Sequence, residues 1–149
     1  MKKILFPVLI IVLILVLAVG SYFYFAKKSE ILSEKNIPAV YKDIVKLRSP
    51  LPGDIVSSPL RITGEARGNW YFEASFPIIL TNWDGLIIAE GFATAQDEWM
   101  TTEFVPFEAM LEFDVPEYGD NGYLILKKDN PSGLPEHDDA FEIQVQFAG

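Results

Sequence analysis

The sequence predicts an all-β domain, a two-layer β-sandwich of about seven strands, preceded by one N-terminal transmembrane helix. The first observation behind this prediction is an uncharged, almost entirely apolar run over residues 4–26. The second is a series of short segments after residue 43 in which apolar and polar residues alternate, which is the period of a half-buried strand. The third is the position of Gly, Pro, Asn and Asp between those segments, where turns need them.

The N-terminal part divides into a short cytoplasmic tail over residues 1–3, an anchor over 4–26 and a juxtamembrane spacer over 27–42. At about 1.5 Å per residue the anchor spans ~34 Å as a helix, enough for a hydrocarbon core of about 30 Å. A cleaved signal peptide is the alternative, because Ala18-Val19-Gly20 offers small residues for a cleavage site. Aromatic residues at the end of the run, followed by lysines, are typical of a membrane–water interface and favour an uncleaved anchor.

The charges around the anchor and its signal-like beginning predict opposite orientations. Two lysines precede the helix, and four follow it within residues 27–42. Taken alone, that excess would keep the following domain in the cytoplasm. The very short tail before the helix favours the reverse orientation, so these residues by themselves leave the topology open.

The strands follow one another at regular spacing from residue 44 onward. They are predicted at residues 44–47, 60–66, 72–81, 86–94, 102–113, 123–126 and 141–147. Pro77 indicates that the third strand is an edge or carries a bulge, and Pro106 indicates a bend in the fifth. Gly64, inside the second strand, indicates a bulge or the close approach of another backbone.

The segments between the strands have the composition of turns. A Pro- and Gly-containing turn covers residues 49–53, and Asn82-Trp83-Asp84-Gly85 predicts a hairpin. Another turn covers residues 119–122, and a polar loop covers 129–139. The number and spacing of these elements favour a sandwich of immunoglobulin type over residues 43–149, with a small barrel as the alternative.

The domain is strongly acidic and the chain has no cysteine. From Ser49 onward, four basic residues face eighteen acidic ones, a net charge of −14. A field of that sign repels nucleic acids and excludes DNA and RNA as partners. The absence of cysteine excludes disulfides, a thiolate nucleophile and a lipoprotein-type anchor.

The region around the second strand resembles a known family. Ser49-Pro50 through Gly53, followed by Val56-Ser57-Ser58-Pro59-Leu60-Arg61-Ile62-Thr63-Gly64-Glu65-Ala66, is similar to the start of the immunoglobulin-like domain of bacterial spore germination, which is often attached to GerMN modules. Later features that fit the same family are residues 72–80, Asp84-Gly85, Phe104, Phe113, Gly122 and Leu124. The resemblance implies an extracytoplasmic domain with no known catalytic residues and no established ligand. It therefore also implies that the N-terminus lies inside the cell.

Candidates for catalysis or metal binding are few. His137 is the only histidine, and the sequence has no Gly-x-Ser-x-Gly or Ser-x-x-Lys motif to supply a nucleophile. Acidic pairs such as Asp97-Glu98 are expected from composition alone. We therefore expect a protein that is not an enzyme and has no cofactor. The alternative is weak calcium binding by loop oxygens in residues 120–122, 129–130 and 136–139.

Aromatic residues form the candidate binding surface. Trp70, Tyr71, Trp83 and Trp99 lie in or beside predicted loops, where aromatic side chains stack on protein or carbohydrate partners. One of the three tryptophans is expected to pack between the sheets instead. The resulting hypothesis is a single-pass protein of the cell membrane that binds a protein or a cell-wall polymer with its extracytoplasmic domain. The alternative is a structural subunit of a larger cell-envelope assembly.

Overall fold

The computed structural model describes residues 17–25, 27 and 39–148 of the chain, which forms two compact units, Met1–Ile37 and Pro38–Gly149. In the first unit the described residues are helical. Most of the predicted anchor over residues 4–26, and residues 28–38 of the predicted spacer over 27–42, lie outside the described residues. Among the residues that are described, no helix is both long enough and apolar enough to span a bilayer.

The second unit is a sheet of nine strands with two short 3₁₀ turns. The strands are β1 (Ala39–Tyr41), β2 (Val45–Ser49), β3 (Ile55–Val56), β4 (Leu60–Arg67), β5 (Ser75–Asn82), β6 (Ile87–Ala95), β7 (Phe104–Leu111), β8 (Asn121–Lys127) and β9 (Ala140–Phe147). The 3₁₀ turns are Gly68–Trp70 and Pro135–His137. The strand order is β1-β2-β4-β7-β6-β5-β8-β9-β3. Neighbours are antiparallel except β3 and β9, which are parallel.

The sheet folds back on itself into two layers. β1 and β9 are seven places apart in the strand order, so in a flat sheet about 33 Å would separate them. Instead the rings of Tyr41 and Phe141 stack with their centroids 5.3 Å apart. Phe76 of β5 and Phe107 of β7 likewise meet, with centroids 5.0 Å apart. The all-β, sandwich-like prediction is confirmed.

The two layers are joined along β6. This strand pairs with β5 over most of its length, but its ladder with β7 comprises only Thr94 and Ala95. β1, β2, β4 and β7 form one layer, and β6, β5, β8, β9 and β3 form the other. Hydrogen bonding between neighbouring strands is therefore continuous across all nine strands, as around a barrel, although the side chains pack as in a sandwich.

The core follows the alternation that the sequence predicts most clearly in the last strand. Along β9, exposed and buried residues alternate without interruption, and Phe141, Ile143, Val145 and Phe147 point inward. β4 shows the same period, with Leu60, Ile62, Gly64 and Ala66 buried. One apolar cluster between the layers collects these side chains with those of β5, β7 and β8.

Gly64 confirms the predicted close approach. A Cβ at this position would lie 2.5 Å from the carbonyl oxygen of Lys46 and 2.6 Å from the ring of Phe107. The pairing of β2 with β4 also shifts register between Leu47 and Ser49, directly opposite. Only a residue without a side chain fits between the bulged β2 backbone and the ring of the neighbouring strand.

Two prolines lie in surroundings that differ from those predicted. β5, which contains Pro77, pairs on both sides, so the edge alternative is wrong; the strand does carry a register shift, between Leu80 and Thr81 rather than at Pro77. The ladder from β5 to β8 begins only at Ile78, and Pro77 is tolerated because it pairs with β6 alone. Pro106 lies inside β7 opposite Glu65 rather than at a bend.

Two short strands extend the sheet beyond the predicted seven. β1 lies within the segment predicted as spacer, so pairing begins four residues before the predicted domain boundary at residue 43. β3 follows the turn after β2 and joins the opposite layer beside β9. Strands of three and two residues are too short for alternation to reveal them.

Candidate functional site

Two of the four candidate aromatic residues are buried. Trp70 is 1% exposed and Tyr71 is 4% exposed. The hydroxyl of Tyr71 donates to the carbonyl oxygen of Val105 at 2.7 Å, and burial raises the pKa of Tyr71. The prediction of Trp70 and Tyr71 as surface residues is therefore wrong, because both complete the core. Of the three tryptophans, Trp70 is the one that packs between the layers.

The tight turn before Trp70 explains why these rings turn inward. A Cβ on Gly68 would lie 1.9 Å from the carbonyl oxygen of Thr101 and 2.3 Å from that of Trp99. This contact fixes the Gly68–Trp70 turn against the loop between β6 and β7. Trp99 itself is half-buried against the core. Of the four predicted residues, only Trp83 is largely exposed, at 55%.

Trp83 occupies the tip of the β5–β6 hairpin, which forms as predicted. The side-chain oxygen of Asn82 accepts hydrogen bonds from the backbone N–H groups of Asp84, at 3.0 Å, and Leu86, at 2.9 Å. Gly85 has a φ of +80°, a conformation that favours glycine. The loop is thus closed by its own side chain, and the indole ring is left pointing away from the core.

The loop between β7 and β8 lies against the same tryptophan. A Cβ on Gly119 would be 2.3 Å from Cδ1 of Trp83, so the glycine backbone packs directly on the indole ring. Tyr118, next to it, is 78% exposed. Leu86, just before β6, and Ile87, its first residue, are 66% and 52% exposed. We refer to Trp83, Leu86, Ile87 and Tyr118 as the Trp83 surface.

Acidic residues flank the Trp83 surface. Asp84 follows Trp83 in the hairpin, and Glu117 and Asp120 bracket the Tyr118-Gly119 pair. All three side chains are exposed, and within the described residues none takes part in a hydrogen bond or an ion pair. The result is an apolar centre with a negative rim.

Sequence reasoning identified Trp83 but not its neighbours. The sequence pattern predicts Leu86 and Ile87 as the beginning of a strand and Tyr118 as a residue beside a turn. The two loops meet because Asn82 at the end of β5 pairs with Gly122 at the start of β8. That register is a property of the fold, and no local pattern in either loop reports it.

A second cluster of polar residues lies in the loop between β8 and β9. The amide nitrogen of Asn130 donates to the carbonyl of Leu134 and to Asp138, both at 2.8 Å. The amide oxygen of Asn130 therefore faces Ser132, whose hydroxyl donates to it at 2.5 Å. Nδ1 of His137 lies 3.1 Å from the same hydroxyl oxygen.

Ser132 and His137 are not arranged as a nucleophile and its general base. The single hydroxyl proton of Ser132 is used in the bond to Asn130, so Nδ1 of His137 acts as a donor to the oxygen. A general base would have to accept that proton instead. The network holds the loop in shape rather than activating the serine.

Metal-ligating side chains are dispersed in the part of the chain that the structure describes. Within residues 17–25, 27 and 39–148, no three His, Cys, Asp or Glu side chains lie close enough together to hold a metal ion. The carboxylates of Asp138 and Asp139, in one of the predicted calcium loops, instead accept hydrogen bonds from Asn130 and Tyr41.

The outward face of β2, β4 and β7 carries several basic side chains, most of which form ion pairs with acidic side chains. Arg48 binds Glu65, and Arg61 binds Glu108 through two nitrogens at 2.8 and 2.9 Å. The Arg61 guanidinium holds the pKa of Glu108 below its ordinary value. We call this the paired face; it also carries Lys46 and Arg67, both of which lie over the ring of Phe104.

Comparison with known proteins gives one family. The family model of the immunoglobulin-like domain of bacterial spore germination matches residues 44–133. The match runs from β2 to the loop after β8, which leaves β1 and β9 outside it. No curated protein and no solved structure matches the chain.

Proposed function

The chain belongs to the family of the immunoglobulin-like domain of bacterial spore germination, and from that membership we propose that it is a membrane-anchored, non-enzymatic binding module. In this proposal the domain is displayed outside the cytoplasm and binds a protein partner. The contact is made through the Trp83 surface. The single observation that supports this site most strongly is the packing of Gly119 on the indole ring of Trp83, because it fixes an exposed aromatic side chain in a preformed position.

A rigid, exposed tryptophan is what a binding hot spot requires. Trp and Tyr are enriched at such sites since they bury a large area and lose little conformational entropy. Trp83 and Tyr118 are 55% and 78% exposed. Trp83 lies on a hairpin closed by the pairing of β5 with β6, and the pairing of β5 with β8 places the loop that carries Tyr118 beside it. A cluster of apolar side chains of this kind marks an interaction site in a soluble domain.

The charges around the surface indicate the chemistry of the partner. Asp84, Glu117 and Asp120 surround the apolar centre, and the domain is acidic as a whole. The matching partner presents an apolar recess with lysine or arginine at its margin. Long-range attraction between the two would speed their association and would weaken as salt is added.

The membrane anchor and its orientation are part of the proposal. The anchor is supported by the apolar run over residues 4–26 and by the aromatic residues and lysines that close it. The orientation, with the N-terminus inside, is supported by the family membership rather than by the flanking charges. The absence of catalysis is supported by the use of the Ser132 proton in the bond to Asn130.

Site-specific photo-crosslinking in cells of the native host tests the binding surface. Benzoylphenylalanine replaces Ile87 in the full chain, and a matched control replaces Met110, since the two positions are 52% and 53% exposed. We expect a discrete adduct with another protein from position 87 and none from position 110. Equal labelling from both positions, or none from either, would contradict the proposal. An adduct between two copies of the chain would favour the alternative of a structural subunit in a larger assembly.

Protease treatment of intact cells tests the topology. A domain outside the cytoplasm is digested without lysis, whereas a cytoplasmic control protein stays intact. Survival of the domain until the cells are lysed would overturn the proposed orientation. It would leave the crosslinking result to be explained by a cytoplasmic partner.

A further inference from the structure

A groove lies at the end of the domain opposite the Trp83 surface. Residues 75 and 82 mark the two ends of β5, and a strand of that length separates them by roughly 24 Å. The groove has a volume of about 380 Å³ and is lined by residues that include Asn69, Phe72, Lys128, Asp129, Ser132 and His137. Its volume lies within the range of small-ligand sites, roughly 300–1,000 Å³.

One wall of the groove is an exposed aromatic ring held in place by the backbone. Phe72 is 41% exposed. Its N–H donates to the carbonyl of Ser75 at 2.9 Å, and the N–H of Ser75 donates back at 3.1 Å. Glu73 and Ala74, between them, have φ values of +50° and +63°, which close a tight turn. The ring is therefore presented by a fixed two-residue hairpin and not by a free loop.

The other wall is the loop between β8 and β9. The N–H of Asp129 donates to the carbonyl of Trp70 at 3.1 Å, which ties this loop to the segment between β4 and β5 that carries Asn69 and Phe72. The Asn130 network then holds Ser132 and His137 in place. Both walls are thus positioned before any ligand arrives.

The groove offers both donors and acceptors that have no protein partner. Among the described residues, no hydrogen bond or ion pair engages the side chains of Asn69, Lys128 or Asp129. His137 uses only Nδ1, in its contact with Ser132. Within the described part of the chain, the groove therefore offers a ligand four free hydrogen-bonding groups: an amide, an ammonium group, a carboxylate and an imidazole nitrogen.

The charges that line the groove favour a neutral ligand. Lys128 and Asp129, its charged lining residues, carry opposite charges, so the lining has no net charge of its own. A molecule with many hydroxyl groups can both donate to Asp129 and accept from Lys128 and Asn69. The C–H face of a sugar ring matches an exposed aromatic ring, since the contact combines apolar burial with the electrostatics of the ring face.

We propose that this groove is a saccharide-binding site, in which Phe72 supports the apolar face of a sugar ring and Asn69, Lys128, Asp129 and His137 bind its hydroxyl groups. The site is separate from the Trp83 surface and uses none of its residues. A domain with both sites would hold a glycan at one end and a protein at the other.

Titration of the full chain in lipid nanodiscs tests the proposal, and alkyl glycoside detergents are avoided because their head groups are sugars. The probes are the β-1,4-linked tetramer of N-acetylglucosamine, cellotetraose and maltotetraose, followed by amide chemical shifts and by calorimetry. We expect at least one tetrasaccharide to bind and to shift the amides of residues 69–72 and 128–132. Binding by none of the three probes would overturn the proposal, and so would shifts confined to other parts of the domain.

Two substitutions of exposed phenylalanines make the test specific. Phe72→Ala removes the aromatic wall, and Phe92→Ala, at a residue that is 63% exposed on β6, serves as its control. We expect a tenfold or greater loss of saccharide affinity from Phe72→Ala and no change from Phe92→Ala, with both variants retaining the wild-type melting temperature. Equal affinities in the two variants would contradict the proposal, as would displacement of the saccharide by inorganic phosphate at equal concentration. Trp83→Ala should bind the saccharide normally, so failure at one end of the domain is distinguishable from failure at the other.

Discussion

The hydroxyl of Tyr41 donates to Oδ1 of Asp139 at 2.7 Å, although 98 residues separate them in the chain. Lys42 pairs with the same carboxylate at 3.3 Å, and the ring of Tyr41 stacks on Phe141. β1 is only three residues long and pairs only with β2. Asp139 is therefore the main polar link between the first strand of the domain and the last.

The link through Asp139 should make stability depend on pH. Partial burial raises the pKa of Asp139, but the hydrogen bonds from Tyr41, Lys42 and the Ala140 N–H and the charge of Lys42 outweigh it, so the pKa lies below its ordinary value. Because the folded-state pKa is the lower one, this stabilisation is present above the unfolded pKa of about 3.9 and is lost as the pH falls through the folded-state value. We expect the melting temperature of the wild type to fall more steeply below about pH 4 than that of Asp139→Asn.

The control for this prediction is Glu142→Gln, which removes an exposed carboxylate from β9, the strand that directly follows Asp139. Its melting temperature should follow the wild-type pH profile. Parallel profiles for wild type and Asp139→Asn would show that the carboxylate contributes no pH-dependent stability.

Gly64 should tolerate no side chain. A Cβ would lie 2.5 Å from the Lys46 carbonyl oxygen and 2.6 Å from the Phe107 ring, and the oxygen belongs to backbone that cannot move aside freely. We expect Gly64→Ala to lower the free energy of unfolding by about 1–3 kcal/mol in urea denaturation. Thr63→Ala, at the neighbouring half-exposed position, should cost under about 1 kcal/mol. A Gly64→Ala protein as stable as the wild type would mean that β2 and β4 lie further apart than described.

Two tryptophans of one domain should lose very different amounts of stability on the same substitution. Trp70 is 1% exposed, so Trp70→Ala leaves a large cavity and should cost about 3–5 kcal/mol of unfolding free energy. Trp83 is 55% exposed, and Trp83→Ala should cost less than about 1 kcal/mol while removing the crosslink from position 87. Chemical denaturation of both variants measures the contrast. Similar losses from the two would place Trp83 in the core as well.

Asn82 should shape the Trp83 surface through its side-chain oxygen. Asn82→Ala leaves the N–H groups of Asp84 and Leu86 without their acceptor, and we expect a loss of about 1 kcal/mol together with weaker partner binding. Asn82→Asp keeps an acceptor oxygen in the same place, so it should restore most of the stability. Thermal denaturation and the crosslinking yield from position 87 report the two effects. If Asn82→Asp were no better than Asn82→Ala, hydrogen bonding by this side chain would not be what holds the loop.

Local patterns were sufficient for the longer strands and for the hairpin. The alternation from Phe141 to Phe147 fixes both the strand and its buried face, and Asn82 and Gly85 supply the acceptor and the positive φ that the turn needs. The resemblance around Pro59 and Gly64 identified the family that the match over residues 44–133 then showed. These features depend on residues near one another in the chain, which is why the sequence reveals them.

The features that the sequence did not reveal depend on contacts between residues that are far apart in the chain. Trp70 and Tyr71 read as loop aromatics because the turn before them is short, but the packing of Gly68 on Thr101 turns both rings inward. Tyr118 joins Trp83 only through the register of β5 with β8. The contact of Ser132 with His137 depends on the orientation of the Asn130 amide, which Leu134 and Asp138 set. No composition or spacing rule carries information about such three-dimensional contacts.

The paired face has a consequence for how the domain orients itself. Lys46, Arg48, Arg61 and Arg67 all lie on the outward side of β2 and β4, so four of the seven basic residues in 39–148 share one flank. Three of the four are paired with carboxylates, so this flank is close to neutral while the domain as a whole is acidic. The domain therefore carries a lateral electric dipole in addition to its net charge. Beside an anionic polymer or lipid surface, that dipole produces a torque that rotates the paired face toward the surface and swings the opposite layer outward. Such a surface therefore repels the domain through its net charge and orients it through its dipole.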